Sequence, residues 1–371
     1  MQITDFINIL NADAFIGVPD SQLKALCNYL IHTKGICTEH IIAANEGNCV
    51  AIAAGYYLAT GKIPVVYMQN SGLGNIVNPV ASLLNDKVYG IPCIFIIGWR
   101  GEPGVHDEPQ HIFQGEITLK LLEDMDIATM VIREDTNVDE LNKRMQEYKM
   151  LLVKGKSVAF VVAKDALSYE AKIEYKNSNT MLREDVIKHI VGIAGEDIIV
   201  STTGKTSREL FEIREQNKDS HKRDFLTVGS MGHSSSLALG IAINTPNKKV
   251  WCIDGDGAAL MHMGAMAIIG SQKPKNMIHI LVNNAAHESV GGMPTVAGKL
   301  DMVKIAKGCG YPLAITVDSF EDLNKVLTKV HNGNELAFVE VKAAIGSRAD
   351  LGRPTTSAKE NKEKFIQYLR E

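Results

Sequence analysis

Short apolar runs alternate with stretches of helical periodicity along the whole chain. In the first half AFIGV, IPVVYM, IPCIFIIG and VAFVVA read as strands. In the second half DIIVS, FLTVG, KVWCI, MIHILV and LAFVEV read the same way. Near-continuous apolar runs of this length suit strands covered on both faces, as parallel sheets require. Between the runs, apolar positions return at helical spacing. Val138, Leu141, Met145 and Tyr148 do so in TNVDELNKRMQEYKML, and Leu182, Val186 and Ile190 in MLREDVIKHIVGIAG. The alternation predicts α/β layers, each a mostly parallel sheet with helices on both faces.

One stretch breaks the pattern. DALSYEAKIEYKNSNT is polar and lacks periodicity, which predicts a linker at residues 166–180 between a first domain, 1–165, and a second, 181–371. A chain of 371 residues suits two such domains. Each half begins with a helix followed by a strand, yet no repeat is visible residue by residue. GSRADLGRPTTSAKENKEKF, near the end, is basic and rich in turn formers and reads as a solvated tail.

Composition narrows function more than fold. The net charge of -4 gives no footprint for nucleic acid or an anionic membrane. No apolar run reaches membrane-spanning length, because Asp86 and Lys87 break one stretch and Glu46 another. MQITDFINILNADAF lacks the basic patch and cleavage site of a secretory signal. Six cysteines, at 27, 37, 49, 93, 252 and 309, form no CxxC pair. They read as reduced core residues of a cytoplasmic protein, not as disulfides or a zinc site.

Residues 252–261, CIDGDGAALM, carry the first candidate chemistry. The apolar run stops at Asp254, and Asp256 then stands between Gly255 and Gly257. Glycines at a strand end let the backbone turn tightly or approach a ligand closely. A plain turn and a nucleotide loop are the competing readings. The next strand, MIHILV, ends in Asn283 and Asn284, then Ala-Ala-His-Glu-Ser. Two parallel strand ends lie side by side at the carboxyl edge, where α/β sheets bind ligands. Asp256 offers a carboxylate oxygen there, an asparagine an amide oxygen, and a backbone carbonyl just beyond a third. An all-oxygen set with little charge suits Mg2+. Gly257 and Ala258 can turn bare N–H groups toward a diphosphate. The dinucleotide pattern GxGxxG fails, because GDGAAL lacks the third glycine. STTGKTSREL at 201–210 is not a Walker loop, because Ile199 stands where its first glycine belongs.

GDG, then 25 residues, then NN resembles the cofactor motif of thiamine-diphosphate enzymes. The resemblance implies two thiamine-diphosphate-binding domains and no middle domain. Residues 1–165 would hold the pyrimidine, and 181–371 the diphosphate and Mg2+. It implies Asp256, Asn284 and the carbonyl of Ala286 as Mg2+ ligands. Gly255, Gly257 and Ala258 would face the diphosphate, with Thr202, Thr203 and Gly204 gripping its tail and Lys205 adding charge. GSMGHSSSLALGIA at 229–242 is similar to the turn whose apolar side chain props the cofactor, which points to Met231. Thiamine chemistry also needs a carboxyl against the pyrimidine, held protonated by an apolar site. HIIAANEGNCVAIAAGYYLATG resembles that segment and makes Glu46 the catalytic group. Alone, an acid in the first turn of a helix is better explained by the helix dipole; the GDG and NN segments reverse that judgement. GVPDSQL at 17–23 resembles the loop that enters the active site, and NSGLGNIVNP at 70–79 the segment facing the cofactor. In this family the glutamate domain of one subunit meets the diphosphate domain of another, so self-association is implied.

The likeness is strongest to a compact branch acting on three-carbon 2-oxo acids with an anionic tail. YMQNSGLGNIVNPVASLLN, IIGWRGEPGVHDEPQH, STTGKTSRELFE, NNAAHESVGGMPT and GSRADLGRPT carry it. It implies decarboxylation of 3-phosphonopyruvate to phosphonoacetaldehyde and CO2, in phosphonate biosynthesis. Sulfopyruvate decarboxylation and carboligation are the alternatives. A phosphonate calls for charge-assisted donors, arginine above all. Ser21, Arg100, His287, Arg348 and Arg353 are the substrate candidates. His106 and His111 either move protons or belong to a hydrogen-bonded loop.

Overall fold

The computed structural model of the chain describes residues 1–288 and 290–371. It divides into two compact units, Met1–Glu174 and Tyr175–Glu371. Among the described residues the first unit holds β1 (Phe15–Gly17), β2 (His40–Ile42), β3 (Val65–Gln69), β4 (Ile94–Gly98), β5 (Ala128–Ile132) and β6 (Val158–Val162). They lie in the order β2-β1-β3-β4-β6-β5, all parallel. The second unit holds β7 (Ile198–Ser201), β8 (Asp224–Leu226), β9 (Val250–Gly255), β10 (Met277–Asn283), β11 (Ala286–His287), β12 (Met293–Pro294), β13 (Leu313–Val317) and β14 (Ala337–Lys342). Its main sheet runs β13-β14-β10-β9-β7-β8, again parallel. The short β11 and β12 pair with each other, antiparallel.

Counted from its own first strand, and with the β11–β12 ribbon left out, each sheet reads 2-1-3-4-6-5. The halves therefore share one winding although their residues show no repeat. In this order the direction of building reverses between the first and third strands. The β1/β3 and β7/β9 edges are thus switch points, where open α/β sheets leave a crevice beyond the carboxyl ends.

The central strands are the ones the apolar pattern marks. Val65–Met68, Ile94–Ile97 and Val158–Val162 are buried on both faces, as are Val250–Ile253 and Met277–Leu281. The strands that the pattern misses, β2, β5 and β13, lie at sheet edges. ATMVI and LAITV mix partly exposed with buried positions, which dilutes the run. Among helices, Val138–Val153 buries Leu141, Met145, Tyr148 and Leu152, while Val138 itself opens the helix and is exposed. Leu182 stands at the N-cap of the helix Arg183–Ala194 rather than on its buried stripe.

The basic C-terminal stretch is not the solvated tail that its composition suggests. Ala358–Arg370 is a helix started by a Ser357–Glu360 capping box, with Asn361 and Phe365 buried. Asn361 Nδ2 donates to the Asp224 carbonyl at 2.8 Å, and its Oδ1 accepts from the Leu226 N–H at 3.2 Å. These bonds pin the helix to β8. Four of the six cysteines are buried, and all six are free thiols.

Candidate active site

In the second unit the loops after β7 and β9 form one wall of the crevice. Thr202 is buried, and Thr203 Oγ1 accepts from the Gly229 N–H at 2.9 Å. Gly204 has φ +91°, a conformation other residues rarely adopt, and opens the helix Lys205–Asn217. The Thr203–Gly229 bond fastens this turn to the segment bearing Met231. The helix Asp256–Met261 begins directly at the end of β9. A Cβ at Gly257 would come within 3.2 Å of His287 Cε1 and 3.3 Å of Met231 Cε. Glycine there lets Met231 and His287 close on the Asp256 turn from two sides.

Asp256 is 3% exposed. Burial pushes its carboxyl up to about 6; Thr295 and the N–H groups of Gly257 and Asn284 pull in the other direction. Thr295 donates its hydroxyl to Asp256 Oδ2. No cationic side chain among the described residues answers the charge. Asn284 is fixed by three bonds. Its Nδ2 donates to Glu288 Oε2 at 2.9 Å, its Oδ1 accepts from the Ala286 N–H at 3.1 Å, and its carbonyl accepts from Asn177 Nδ2 at 3.0 Å. Ala285 takes φ +56° between them, which swings Ala286 back past the asparagine. An amide oxygen has two lone pairs, so one on Asn284 Oδ1 stays open. A buried carboxylate with no counter-cation, beside an oriented amide oxygen, fits a divalent ion with oxygen ligands.

Glu288 ties this asparagine to a buried ionic network. Arg183 donates to Glu288 Oε2 at 2.8 Å and to both oxygens of Glu209 at 2.7 Å. Lys205 Nζ donates to Glu288 Oε1 at 3.0 Å and to Ser347 Oγ at 2.7 Å. The Lys205 charge is therefore already shared with a carboxylate. His287 is buried, and burial pushes its imidazole down to about 4, so it is neutral near pH 7.

In the first unit, Glu46 is the first residue of the helix Glu46–Thr60 and is 5% exposed. Asn45 caps that helix by accepting from the Gly47 N–H at 2.7 Å. Asn75 Nδ2 donates to Glu46 Oε2 at 2.7 Å. A Cβ at Gly72 would meet the Glu46 carboxyl carbon at 2.6 Å, so only glycine lets the acid lie there. Burial raises the Glu46 pKa and the Asn75 bond offsets part of that.

The β1/β3 edge beside it holds a second buried acid. Asp20 is fully buried, and burial raises its pKa. It accepts from Gln69 Nε2 at 2.5 Å and from the Gln22 N–H at 3.1 Å. Arg100, just past β4, donates from Nη1 to Ser21 Oγ at 3.2 Å and from Nε to Asp107 Oδ2 at 2.8 Å. Asn70 bridges the ends of β3 and β4 by bonding both the Arg100 carbonyl and its N–H.

Of the substrate candidates, the structure brings Ser21 and Arg100 together. It sends Arg348 elsewhere: this residue pairs with Glu184 at 2.9 Å, with Glu212, and with Asp350 at 3.1 Å. It straps the C-terminal segment to two helices rather than standing as an uncommitted cation. Arg353 is exposed in the same segment. His106 is exposed; the loop around it is organised by Asp107, which accepts from the N–H groups of Gly101 and Glu108, each at 2.8 Å. His111 Nδ1 is buried without a hydrogen-bond partner. Sequence reasoning passed over Asp20, Gln69, Asn75, Glu288 and Thr295. Each stood inside a segment already singled out, Asp20 in GVPDSQL, Gln69 and Asn75 in YMQNSGLGN, and Glu288 and Thr295 in NNAAHESVGGMPT, but no spacing pointed to the individual side chain.

Residues 2–154 match the thiamine pyrophosphate enzyme N-terminal TPP binding domain, and residues 202–341 the C-terminal TPP binding domain. The chain belongs to the thiamine pyrophosphate enzymes. Over 97% of its length it is 33% identical to phosphonopyruvate decarboxylase of Streptomyces viridochromogenes, 92% of which is covered. It is 29% identical to sulfopyruvate decarboxylase of Methanosarcina acetivorans, over 80% of this chain and 79% of that one. The beta subunit of sulfopyruvate decarboxylase from Methanocaldococcus jannaschii is 39% identical over 43% of this chain and 82% of the subunit.

Proposed function

We propose that the chain decarboxylates 3-phosphonopyruvate to phosphonoacetaldehyde and CO2, as a carbon–carbon lyase using thiamine diphosphate and Mg2+. The observation that carries this reading is the likeness to a phosphonopyruvate decarboxylase across nearly the full length of both chains. In this reading Asp256, Asn284 and the Ala286 carbonyl hold Mg2+. Thr202, Thr203, Gly204 and the Gly255–Ala258 turn would hold the diphosphate, and Met231 would support the cofactor. Bound thiamine diphosphate supplies an electron sink for the pair left when CO2 departs. Burial raises the Glu46 pKa, which favours the protonated carboxyl that would offer a hydrogen bond to a ring nitrogen. Asp20, whose pKa burial raises and which accepts from Gln69, is the group proposed to return a proton to the product carbon.

The tail of the substrate is assigned to Ser21 and Arg100. The guanidinium is aimed by Asp107, which leaves the Nη1 edge beside the serine hydroxyl. The chain is proposed to self-associate in the cytoplasm, the glutamate-bearing half of one copy completing the diphosphate-binding half of another. No helix among the described residues is long and apolar enough to cross a membrane. A second reading, sulfopyruvate as substrate, is favoured by the sulfopyruvate decarboxylases among the relatives. Phosphorus NMR of the protein with thiamine diphosphate, Mg2+ and phosphonopyruvate decides between them. Cofactor-dependent phosphonoacetaldehyde supports the first reading. No conversion of phosphonopyruvate beside turnover of sulfopyruvate supports the second.

A further inference from the structure

The second sheet carries three chemically versatile side chains that the decarboxylase reading leaves unused. Cys252 and Asp254 lie two residues apart on β9 and so face the same side. His279, on β10, is the register partner of Cys252. All three are wholly buried. One ligating atom from each lies within 4.8 Å of the others.

The bonds around the cluster leave a gap at its centre. Asp254 Oδ1 accepts from Ser234 Oγ at 3.1 Å and from the Gly255 N–H at 3.0 Å. His279 Nδ1 meets the Tyr311 hydroxyl at 3.1 Å. The remaining atoms, Asp254 Oδ2 and His279 Nε2, have no hydrogen-bond partner and stand 3.5 Å apart. Polar atoms buried this deeply are costly without a partner.

We propose that Cys252, Asp254 and His279 bind a zinc-class divalent cation, at a site separate from the Asp256 set. A thiolate, an imidazole and a carboxylate are the donors zinc accepts, whereas Mg2+ prefers oxygen alone. The outer atom of each of two ligands is already held, by Ser234 and Gly255 on one side and Tyr311 on the other. Such bonds orient ligands toward a metal. The Ser234 hydroxyl also contacts Cys252 and so orients two of the three ligands. Binding releases the Cys252 proton, so the ion is held by the thiolate. The cysteines show no metal spacing along the chain, because strand pairing, not sequence spacing, brings Cys252 to His279. Burial means that the ion enters while the unit folds and then resists chelators.

The full-length protein, expressed with zinc and dialysed against EDTA to remove Mg2+, is assayed for metal by mass spectrometry. One zinc per chain is expected, kept in Asp256→Ala and lost in His279→Gln. A folded wild-type chain without zinc overturns the proposal and leaves Asp254 and His279 as a buried polar pair. Cobalt-grown protein gives a second readout that survives a poorly folding histidine variant. Its cobalt–thiolate absorption band should disappear in Cys252→Ser and persist in Cys27→Ser. A band that persists in Cys252→Ser overturns the assignment.

Discussion

Asn75 donates its side-chain amide to Glu46 Oε2 at 2.7 Å, inside a pocket that Gly72 keeps open for the carboxyl. A single neutral N–H only partly replaces the water the carboxylate has lost. The balance therefore raises the pKa of the acid. That shift toward the protonated form is what the proposed role of Glu46 requires.

Replacing Glu46 by Gln should leave cofactor binding nearly intact and lower turnover by roughly 10²–10⁴-fold, the usual worth of a positioned acid or base. Asn75→Ala removes the bond that lowers the Glu46 pKa, so the Glu46-dependent limb of the pH–rate profile should move to higher pH. Steady-state rates across pH check both. An unshifted limb in Asn75→Ala removes Glu46 as its source.

Glu46 and Asp20 should contribute less to the stability of the cofactor-free chain as pH rises. Glu46 and Asp20 have folded-state pKa values above their ordinary 4.5 and 3.8. Each holds its proton in the fold at pH values where the unfolded chain has released it, so unfolding releases a proton. Their favourable contribution is complete below the ordinary values and is lost as pH climbs through the folded-state ones. Thermal melts should show Glu46→Gln with a shallower decline over that window. An identical slope would contradict the burial effect.

Glu288 should matter for Mg2+ without touching it. Glu288→Ala frees the Asn284 amide and removes a partner from Arg183 and from Lys205. A loss of about 1.5–3 kcal/mol of stability is expected, the scale of one charged hydrogen bond. Glu288→Gln keeps a carbonyl for Asn284 Nδ2 and should recover much of the Mg2+ affinity, though not the stability. Calorimetric titration of Mg2+ with cofactor present separates the two effects. Equal Mg2+ affinity in all three proteins would limit Glu288 to the ionic network.

Arg100→Ala should raise KM for the anionic-tailed substrate by roughly 30-fold or more, because truncating a buried charge pair costs about 2–5 kcal/mol. Ser21→Ala should do the same more weakly. Pyruvate, which has no tail, serves as the comparison. An equal penalty on pyruvate would take Arg100 out of tail recognition.

Much of the fold was legible because its central strands are covered on both faces. VVYM, CIFIIG and VAFVV can be nothing but buried. Edge strands such as ATMVI gave no such run, since one side meets partial solvent. The GDG and NN segments were legible because strand ends and glycines punctuate a sequence sharply. Glu288 and Thr295 were not, because each acts through the orientation of another side chain. Arg348 misled for the opposite reason: its charge was visible, but not the carboxylates of Glu184 and Glu212 that claim it.

The shared 2-1-3-4-6-5 winding means that one architectural plan has been furnished twice. At the β1/β3 mouth the lining is amide nitrogens and carboxyls whose pKa burial raises, a surface suited to a flat, weakly polar heterocycle. At the β7/β9 mouth it is hydroxyls, bare glycine backbone and an acid without a counter-ion, a surface suited to a metal-bridged polyanion. The winding makes the berth, and a few loop residues decide its cargo. Swapping loop residues between the two mouths should therefore exchange chemical appetite while leaving both sheets standing.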